Sequence, residues 1–313
     1  MMENTYYRAF SQFLKERFGE KVYRICIDAG FGCPNRDGTI AVGGCAYCSP
    51  AGSWSVNGSE IPLGLQVRRE IERVRRRYGA KKYIAYFQAY TNTYAPLERL
   101  KSVYDTVISS GEGIVGMAIG TRPDCVDREK LKLIASYRER GLEVWMEYGL
   151  QSASDETLRF IGRGHTVADF RDAVMMTEDY ELGVIAHVII GLPGEGRSHV
   201  LKTAGFLADL GVIGVKLHNL NIVEGTRMAD WYREGWVKPL EMEEYAGLVV
   251  DFLERSDPSL LVVRLVTDSN QGCLIAPRWS LRKQEAIDAI IQAFQRRKSF
   301  QGRLSSGRSV IRE

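Results

Sequence analysis

The sequence predicts an α/β protein built as a partial (βα)6 TIM-type barrel with a small C-terminal α/β extension. Three observations carry this reading. Apolar, strand-like runs alternate with amphipathic helical stretches six times in succession, which argues a parallel sheet with right-handed crossovers. The pairs stop at six, short of the eight that close a full barrel. After each strand comes a polar or Gly-rich segment, and parallel α/β architectures keep their chemistry in such loops.

Taken in order, strands are expected over 22–27, 83–87, 113–119, 143–150, 184–190 and 213–220. Helices are expected over 63–78, 96–110, 127–140, 169–180, 199–210 and 240–255. Residues 1–20 read as an N-terminal helical segment and 21–255 as the barrel core. Residues 256–313 read as the extension, with a strand over 260–266, a helix over 281–297 and a basic tail. A chain of 313 residues can bury one large core, and no Pro/Ser-rich linker divides it.

Composition narrows the setting. No apolar run approaches the roughly 18 residues that a membrane helix needs. The N-terminus carries early acidic and aromatic residues and no apolar signal core, so it does not read as a secretory leader. The six cysteines show no disulfide framework, and a reducing, cytoplasmic location is expected. Net charge is +3, unevenly placed: residues 278–313 hold nine Lys/Arg against three Asp/Glu, leaving the remainder at −3. Such a tail is a candidate for phosphate contacts or an ordinary solvated end.

The most informative segment is "DAGFGCPNRDGTIAVGGCAYCSPAGS", directly after the first strand. It holds Cys33, Cys45 and Cys48 with the spacing Cys-x11-Cys-x2-Cys, and no histidine precedes His165. A structural zinc closes on four ligands, whereas three thiolates on a cubane iron–sulfur cluster leave one iron open to a substrate or cofactor. A zinc ribbon would need a second cysteine pair, and none follows. Cys26 is a conceivable fourth ligand, but it lies inside the first strand.

The spacing, with Tyr47 before the last cysteine, is similar to the cluster loop of radical S-adenosylmethionine (SAM) enzymes. The runs "YFQAYTNTYAPLERL", "IGTRPDC", "EYGLQSASDETLRFIGRGHT", "AHVIIGLPGE" and "LIAPRWSLRK" extend the likeness over about residues 15–300. Together they resemble the Elongator-catalytic-subunit-like radical SAM proteins, in the stand-alone bacterial YhcC/YtqA (MnmL) group.

This resemblance implies that Cys33, Cys45 and Cys48 hold a [4Fe–4S] cluster whose open iron binds SAM. It further implies one-electron cleavage of SAM to a 5′-deoxyadenosyl radical that abstracts hydrogen from an unactivated carbon. The electron would come from a donor such as flavodoxin or ferredoxin. Tyr47 would contact the adenine, with Gly191 and Gly194 allowing close backbone approach to it. Gln151, ending strand four, would hydrogen-bond the ribose, and Arg163 would pair with the SAM carboxylate. Gln88, Thr91 or Asn92 would take the place of the Gly-Gly-Glu-like segment that binds the methionyl amino group. Cys125 is a weak candidate hydrogen donor.

Each of these has a plainer alternative. Gln151 can be a strand-end polar group, Arg163 a surface helix-end residue, the two glycines turn formers and Cys125 a buried thiol. Arg122 and Asp124 either bind substrate or pair with each other, and His218 reads best as a hydrogen-bonded structural histidine. Two departures stand out: Cys26, where relatives have a small residue, and "VTDSNQGC", where they often have Gly-Asp. A counterpart of the acetyltransferase domain of the Elongator subunit is not expected within these 313 residues.

The expected substrate is the C5 side chain of a tRNA wobble uridine, converted from carboxymethylaminomethyl to aminomethyl. A radical SAM enzyme acting on a small metabolite is the second reading. A non-enzymatic iron–sulfur or zinc module that binds nucleic acid is the third.

Overall fold

In the computed structural model, which describes residues 6–49, 61–268 and 271–305, seven parallel strands form one curled sheet. Helix α1 (Phe10–Phe18) precedes β1 (Val22–Ile27). There follow α2 (Leu63–Tyr78), β2 (Lys82–Phe87), α3 (Leu97–Ser109), β3 (Ile114–Thr121), α4 (Arg128–Glu139) and β4 (Glu143–Gln151). Next are α5 (Asp155–Phe160), α6 (Val167–Glu178), β5 (Gly183–Ile190), α7 (Arg197–Leu210) and β6 (Gly214–Asn219). The last third adds β7 (Ile222–Val223), α8 (Arg227–Arg233), α9 (Met242–Arg255), β8 (Leu261–Arg264), β9 (Leu274–Ala276) and α10 (Lys283–Arg297). The sheet order is β1-β2-β3-β4-β5-β6-β8, the arrangement of a partial TIM-type barrel.

The strand expected within the extension is thus the seventh strand of the main sheet, parallel to β6. Its Leu261 and Val262 are buried on opposite faces, so pairing with β6 covers an edge that would otherwise offer unpaired amides. The segment 256–305 is therefore built onto the barrel. Helices α5 and α8, of six and seven residues, and the short β7–β9 pair were not expected from the sequence.

Alternation along the strands separates two apolar layers. On the outer face Ile25, Ile27, Ala85, Phe87, Met117, Ile119, Met146 and Tyr148 pack against Val67, Leu100, Tyr104, Ile134 and Phe170 of the helices. On the inner face Ile84, Tyr86, Ala118, Trp145, Ile185 and Leu261 meet Phe10 and Leu14 of α1. Helix α1 therefore plugs the amino-terminal end of the barrel. Edge strands β1 and β8 do not pair with each other, so the barrel is open along one side.

Helix starts follow local chemistry. At α6 the Thr166 hydroxyl accepts from the Asp169 N–H at 3.2 Å, and the Asp169 carboxylate accepts from the Thr166 N–H at 2.7 Å. This reciprocal pair satisfies two amides that the first turn leaves unbonded. It fixes the turn just before it, residues 161–165, which borders the site.

Candidate active site

The cysteine loop is held by backbone on both sides. The Ala46 N–H donates to Ile161 O at 2.8 Å, and Met228 N–H donates to Ala46 O at 2.9 Å. Asn35 Nδ2 donates to Gly162 O at 2.8 Å, Arg227 Nη2 to Gly44 O at 3.1 Å. Within the loop, Cys48 N–H donates to Cys45 O at 3.0 Å, closing a tight turn between the two cysteines. The end of the cysteine-loop segment, residues 50–53, lies outside the described residues.

Nitrogen donors ring the thiols. Asn35 Nδ2 lies 3.4 Å from Cys45 Sγ, and Arg36 Nη2 lies 3.3 Å from Cys48 Sγ. Arg163 Nη1 stands 3.7 Å from Cys45 Sγ. Burial alone would raise the Cys45 thiol, but the Arg163 guanidinium, with Arg122 behind it, brings it below the usual thiol range. Burial pushes Cys48 up despite Arg36, because Cys45 and Cys33 add their own negative charge. Thiols that lie within one another's field, with cationic donors on two of them, suit a thiolate-bound anionic cluster. Among the described residues no three His, Cys, Asp or Glu side chains converge closely enough to share a single metal ion. A four-iron cluster, held at three corners, spaces its thiolates more widely than one ion does.

Arg163 is buried, with 7% of its surface exposed, and is no surface residue. Its Nη2 donates to Gly149 O at 2.8 Å, and its own carbonyl accepts from Arg122 Nη1 at 2.8 Å. His165 Nε2 reaches the same Gly149 carbonyl at 2.9 Å, and burial beside Arg163 brings that imidazole down to about 3, so it is neutral and can donate. A methyl group on Gly149 would fall 2.5 Å from Arg163 Nη2 and 2.6 Å from Gln151 Nε2. Only glycine lets both side chains fold over the strand here. Gln151 itself has φ +73° and is buried. A non-glycine residue in the left-handed region costs about 1 kcal/mol or more and is typical of binding clefts.

The remaining expected residues divide by burial. Asn92 is wholly buried and its Nδ2 donates to Gly120 O at 2.7 Å. Thr91 is buried too, and its N–H donates to Gly32 O. Gln88 alone of the three is only half-buried. Half-buried Tyr47 packs on the apolar cluster of Ala46, Leu158 and Ile161. Gly191 and Gly194 both have left-handed φ, +95° and +79°, so the turn itself calls for glycine. Cys125 is buried in a 3-10 turn, its Sγ 3.9 Å from Asp124 Oδ1, and burial beside that carboxylate pushes it up to about 12. Arg122 and Asp124 form a two-point ion pair at 2.9 and 2.7 Å. His218 Nδ1 lies 3.2 Å from Thr267 Oγ1.

Sequence reasoning missed Asn35, Arg36 and His165. The first two sit in "CPNRDG", immediately after Cys33, and a donor two or three residues beyond a ligand cysteine is a readable sign. It also missed Ser152, whose hydroxyl donates to Glu195 and ties the end of β4 to the "GLPGE" turn.

A parallel half-barrel with a three-cysteine loop at its carboxyl mouth is the architecture of the radical SAM superfamily. The family model for the Radical SAM superfamily matches residues 29–207, and that for the Radical_SAM C-terminal domain matches 212–296. The chain belongs to the radical SAM superfamily. Its cofactors are accordingly a [4Fe–4S] cluster and SAM. It is 38% identical over 298 residues to protein YtqA of Bacillus subtilis, covering 95% of this chain and 92% of that one. It is 39% identical over 266 residues to protein YhcC of Escherichia coli K12, covering 85% of each. A more distant likeness, 27% over 179 residues, is to a tRNA uridine(34) acetyltransferase of Dehalococcoides mccartyi, covering 55% of this chain and 37% of that one. Among solved structures, the N-terminally truncated archaeal Methanocaldococcus infernus Elp3 superposes with a TM-score of 0.68 at 17% identity. It covers 90% of this chain and 64% of its own.

Proposed function

We propose that this chain is a radical SAM enzyme that modifies the C5 side chain of a wobble uridine in tRNA, converting carboxymethylaminomethyl to aminomethyl. Cys33, Cys45 and Cys48 hold the cluster, which with SAM supplies hydrogen-atom abstraction from an unactivated carbon. Around it the chain's own groups bind and orient. Arg163, pinned over Gly149, presents its charge beside Cys45. Gln151 lies where a ribose would rest on the strand end, and Gln88 is the polar group after β2 with surface to offer the methionyl amino group. Tyr47 and the 191–194 turn flank the adenine.

Support for an RNA substrate comes from relatives named for tRNA uridine(34) chemistry. The observation that carries it in this chain is helix α2. Six arginines, at 68, 69, 73, 75, 76 and 77, are all exposed on it. Glu70 and Glu72 pair with Arg73 and Arg76. Arg68, Arg69, Arg75 and Arg77 make no ion pair among the described residues. Arg68 and Arg69 sit near the helix start, at the cluster-loop end of the barrel. The C-terminal tail offers less than its composition suggests. Arg297 pairs with Asp251 at 2.9 Å and Glu254 at 3.4 Å, fastening α10 to α9, and Arg303 donates to the carbonyls of 297 and 298. Arg308 and Arg312 lie outside the described residues.

Two experiments test this. Nucleoside mass spectrometry of tRNA from cells with and without the gene should show the carboxymethylaminomethyl uridine accumulating in the deletion; an unchanged profile overturns the substrate. With the purified protein, the triple change Arg68→Ala, Arg69→Ala and Arg75→Ala should weaken tRNA binding and lower its salt slope by up to about three, roughly one per lost phosphate contact. An identical slope would mean that this face is merely solvated.

Gln151→Ala should retain the cluster but weaken SAM binding by about 1–2 kcal/mol, the worth of one or two hydrogen bonds. Calorimetric titration of the reconstituted protein reads this directly, and equal affinities would turn Gln151 away from the ribose.

A further inference from the structure

Beneath the cofactor layer the barrel lumen holds charged groups that the reading above leaves without a task. Glu147 lies on the inner face of β4, four residues or about 13 Å of strand below Gln151, and is fully buried. Its Oε1 is 2.7 Å from Arg24 Nη1 of β1, and its Oε2 accepts from Lys216 Nζ of β6 and lies 2.9 Å from His187 Nε2 of β5. The Arg24 guanidinium lies over the rings of Phe10 and Tyr86, at 5.2 and 4.9 Å, and the Lys216 ammonium lies 3.8 Å over Tyr86. On the far edge strand, Arg264 pairs with Asp268 at 2.8 Å, and Asp268 also accepts from Lys283.

The charges do not balance. Arg24 and Lys216 share the one buried carboxylate, Glu147, while at the rim Arg264 and Lys283 share the exposed carboxylate of Asp268. Burial, with the nearby cations, depresses both lumen histidines, His187 to about 4 and His218 well below its ordinary range, so neither adds charge at neutral pH. Arg24 and Lys216 thus bring more positive charge than Glu147 alone offsets, and burial together with Arg24 pushes the Lys216 ammonium well down from its ordinary value. In addition, Arg24 Nη2 and His218 Nε2 are buried with no hydrogen-bond partner, and Arg24 Nη1 meets Glu147 as an ion pair without hydrogen-bond alignment. The two histidine rings lie 5.4 Å apart, so His218 continues the line that starts at Glu147. Buried cationic surplus with unspent donors is costly unless an anion completes it.

We propose that the lumen between edge strands β1 and β8 is a subsite for a carboxylate of the substrate, received by Arg24 and Arg264. A guanidinium fork matches a carboxylate in plane and charge. The site lies below the strand ends, under the cofactor and above the α1 plug. A backbone phosphate of a folded RNA does not descend there, whereas the tip of a flexible side chain does. Glu147 and Lys216 then act as positioning residues, holding Arg24 and His187 in place against the aromatic wall. The carboxylate identity rests on the wobble-uridine reading; the anion site itself does not.

The test compares the nucleoside 5-carboxymethylaminomethyluridine with its methyl ester, titrated into the reconstituted, SAM-loaded protein. The acid should bind roughly ten- to hundredfold tighter than the ester, the span of a charge-assisted hydrogen bond. In Arg24→Gln and Arg264→Gln that preference should collapse toward unity, and Arg24→Lys should recover part of it, with iron content as the check on folding. A second arm uses acetate and inorganic phosphate at fixed ionic strength, read as thermal stabilisation. Acetate should stabilise the wild type and not Arg24→Gln. Stabilisation by acetate without binding of either nucleoside would uphold the anion site and overturn the uridine. No acid-over-ester preference together with no stabilisation by acetate would overturn the site, as would a preference that survives in both glutamine variants. Stabilisation by phosphate alone would overturn the carboxylate assignment.

Discussion

Changing Cys45 to alanine should take the anaerobically reconstituted protein from about four irons per chain to near none, and abolish cleavage of SAM. Cys45 is the most enclosed of the three loop cysteines, and two nitrogen donors, from Asn35 and Arg163, meet its sulfur. Removing that thiolate leaves the donors aimed at nothing and leaves the cluster with two protein ligands. Because Ala46 N–H and O are both committed to neighbouring segments, the loop cannot slide to bring another cysteine into place. Iron analysis and the visible absorption of the cluster report the loss without reference to turnover. A variant that keeps four irons and makes 5′-deoxyadenosine at the wild-type rate would remove Cys45 from the ligand set.

The second large effect is on stability. Glu147→Ala should cost about 3–5 kcal/mol, since it strips the counter-charge from buried Lys216 and Arg24. In a chain of this size that corresponds to a fall in melting temperature of roughly 5–10 °C. The same interaction sets a pH dependence. Burial would raise the Glu147 carboxyl, but Arg24, Lys216 and His187 outweigh it and hold it well below the ordinary carboxylate range. Its contribution is therefore present above the unfolded value of about 4.3 and is lost as pH falls through the lower folded value. Below about pH 4 the wild type should lose stability more steeply than Glu147→Ala. Parallel acid profiles for the two proteins would show that the carboxylate contributes nothing net.

These two residues mark what could be read from the chain and what could not. Cys45 announces itself through spacing, because cysteines that share one loop lie close in sequence. Its partner Arg163 is 118 positions away, and nothing local distinguishes a buried arginine from an exposed one at a helix end. The six strands and their helices were legible because burial repeats along each element. Membership of β8 in the main sheet was not, since pairing with β6 is decided by the edge that β6 leaves open. Glu147 and Lys216 sit in the middle of otherwise apolar strands, and there a charge interrupts the pattern without naming its partner. Taken together, Arg24, Glu147, Lys216 and His187 are four such interruptions on four strands. A barrel gathers inward-facing positions of all its strands into one space, so their coincidence was available in principle once the topology was granted.

The stopper at the barrel's foot governs traffic. Phe10 and Leu14 close the amino-terminal end against Trp145, Ile84 and Ile185, which leaves the carboxyl mouth and the open flank between β1 and β8 as the approaches. A cofactor seated under a docked RNA would keep that flank as its one remaining route. On the proposed substrate, the nucleotide-sized partner would therefore have a route that a folded RNA lacks, so its exchange need not wait for the RNA to leave.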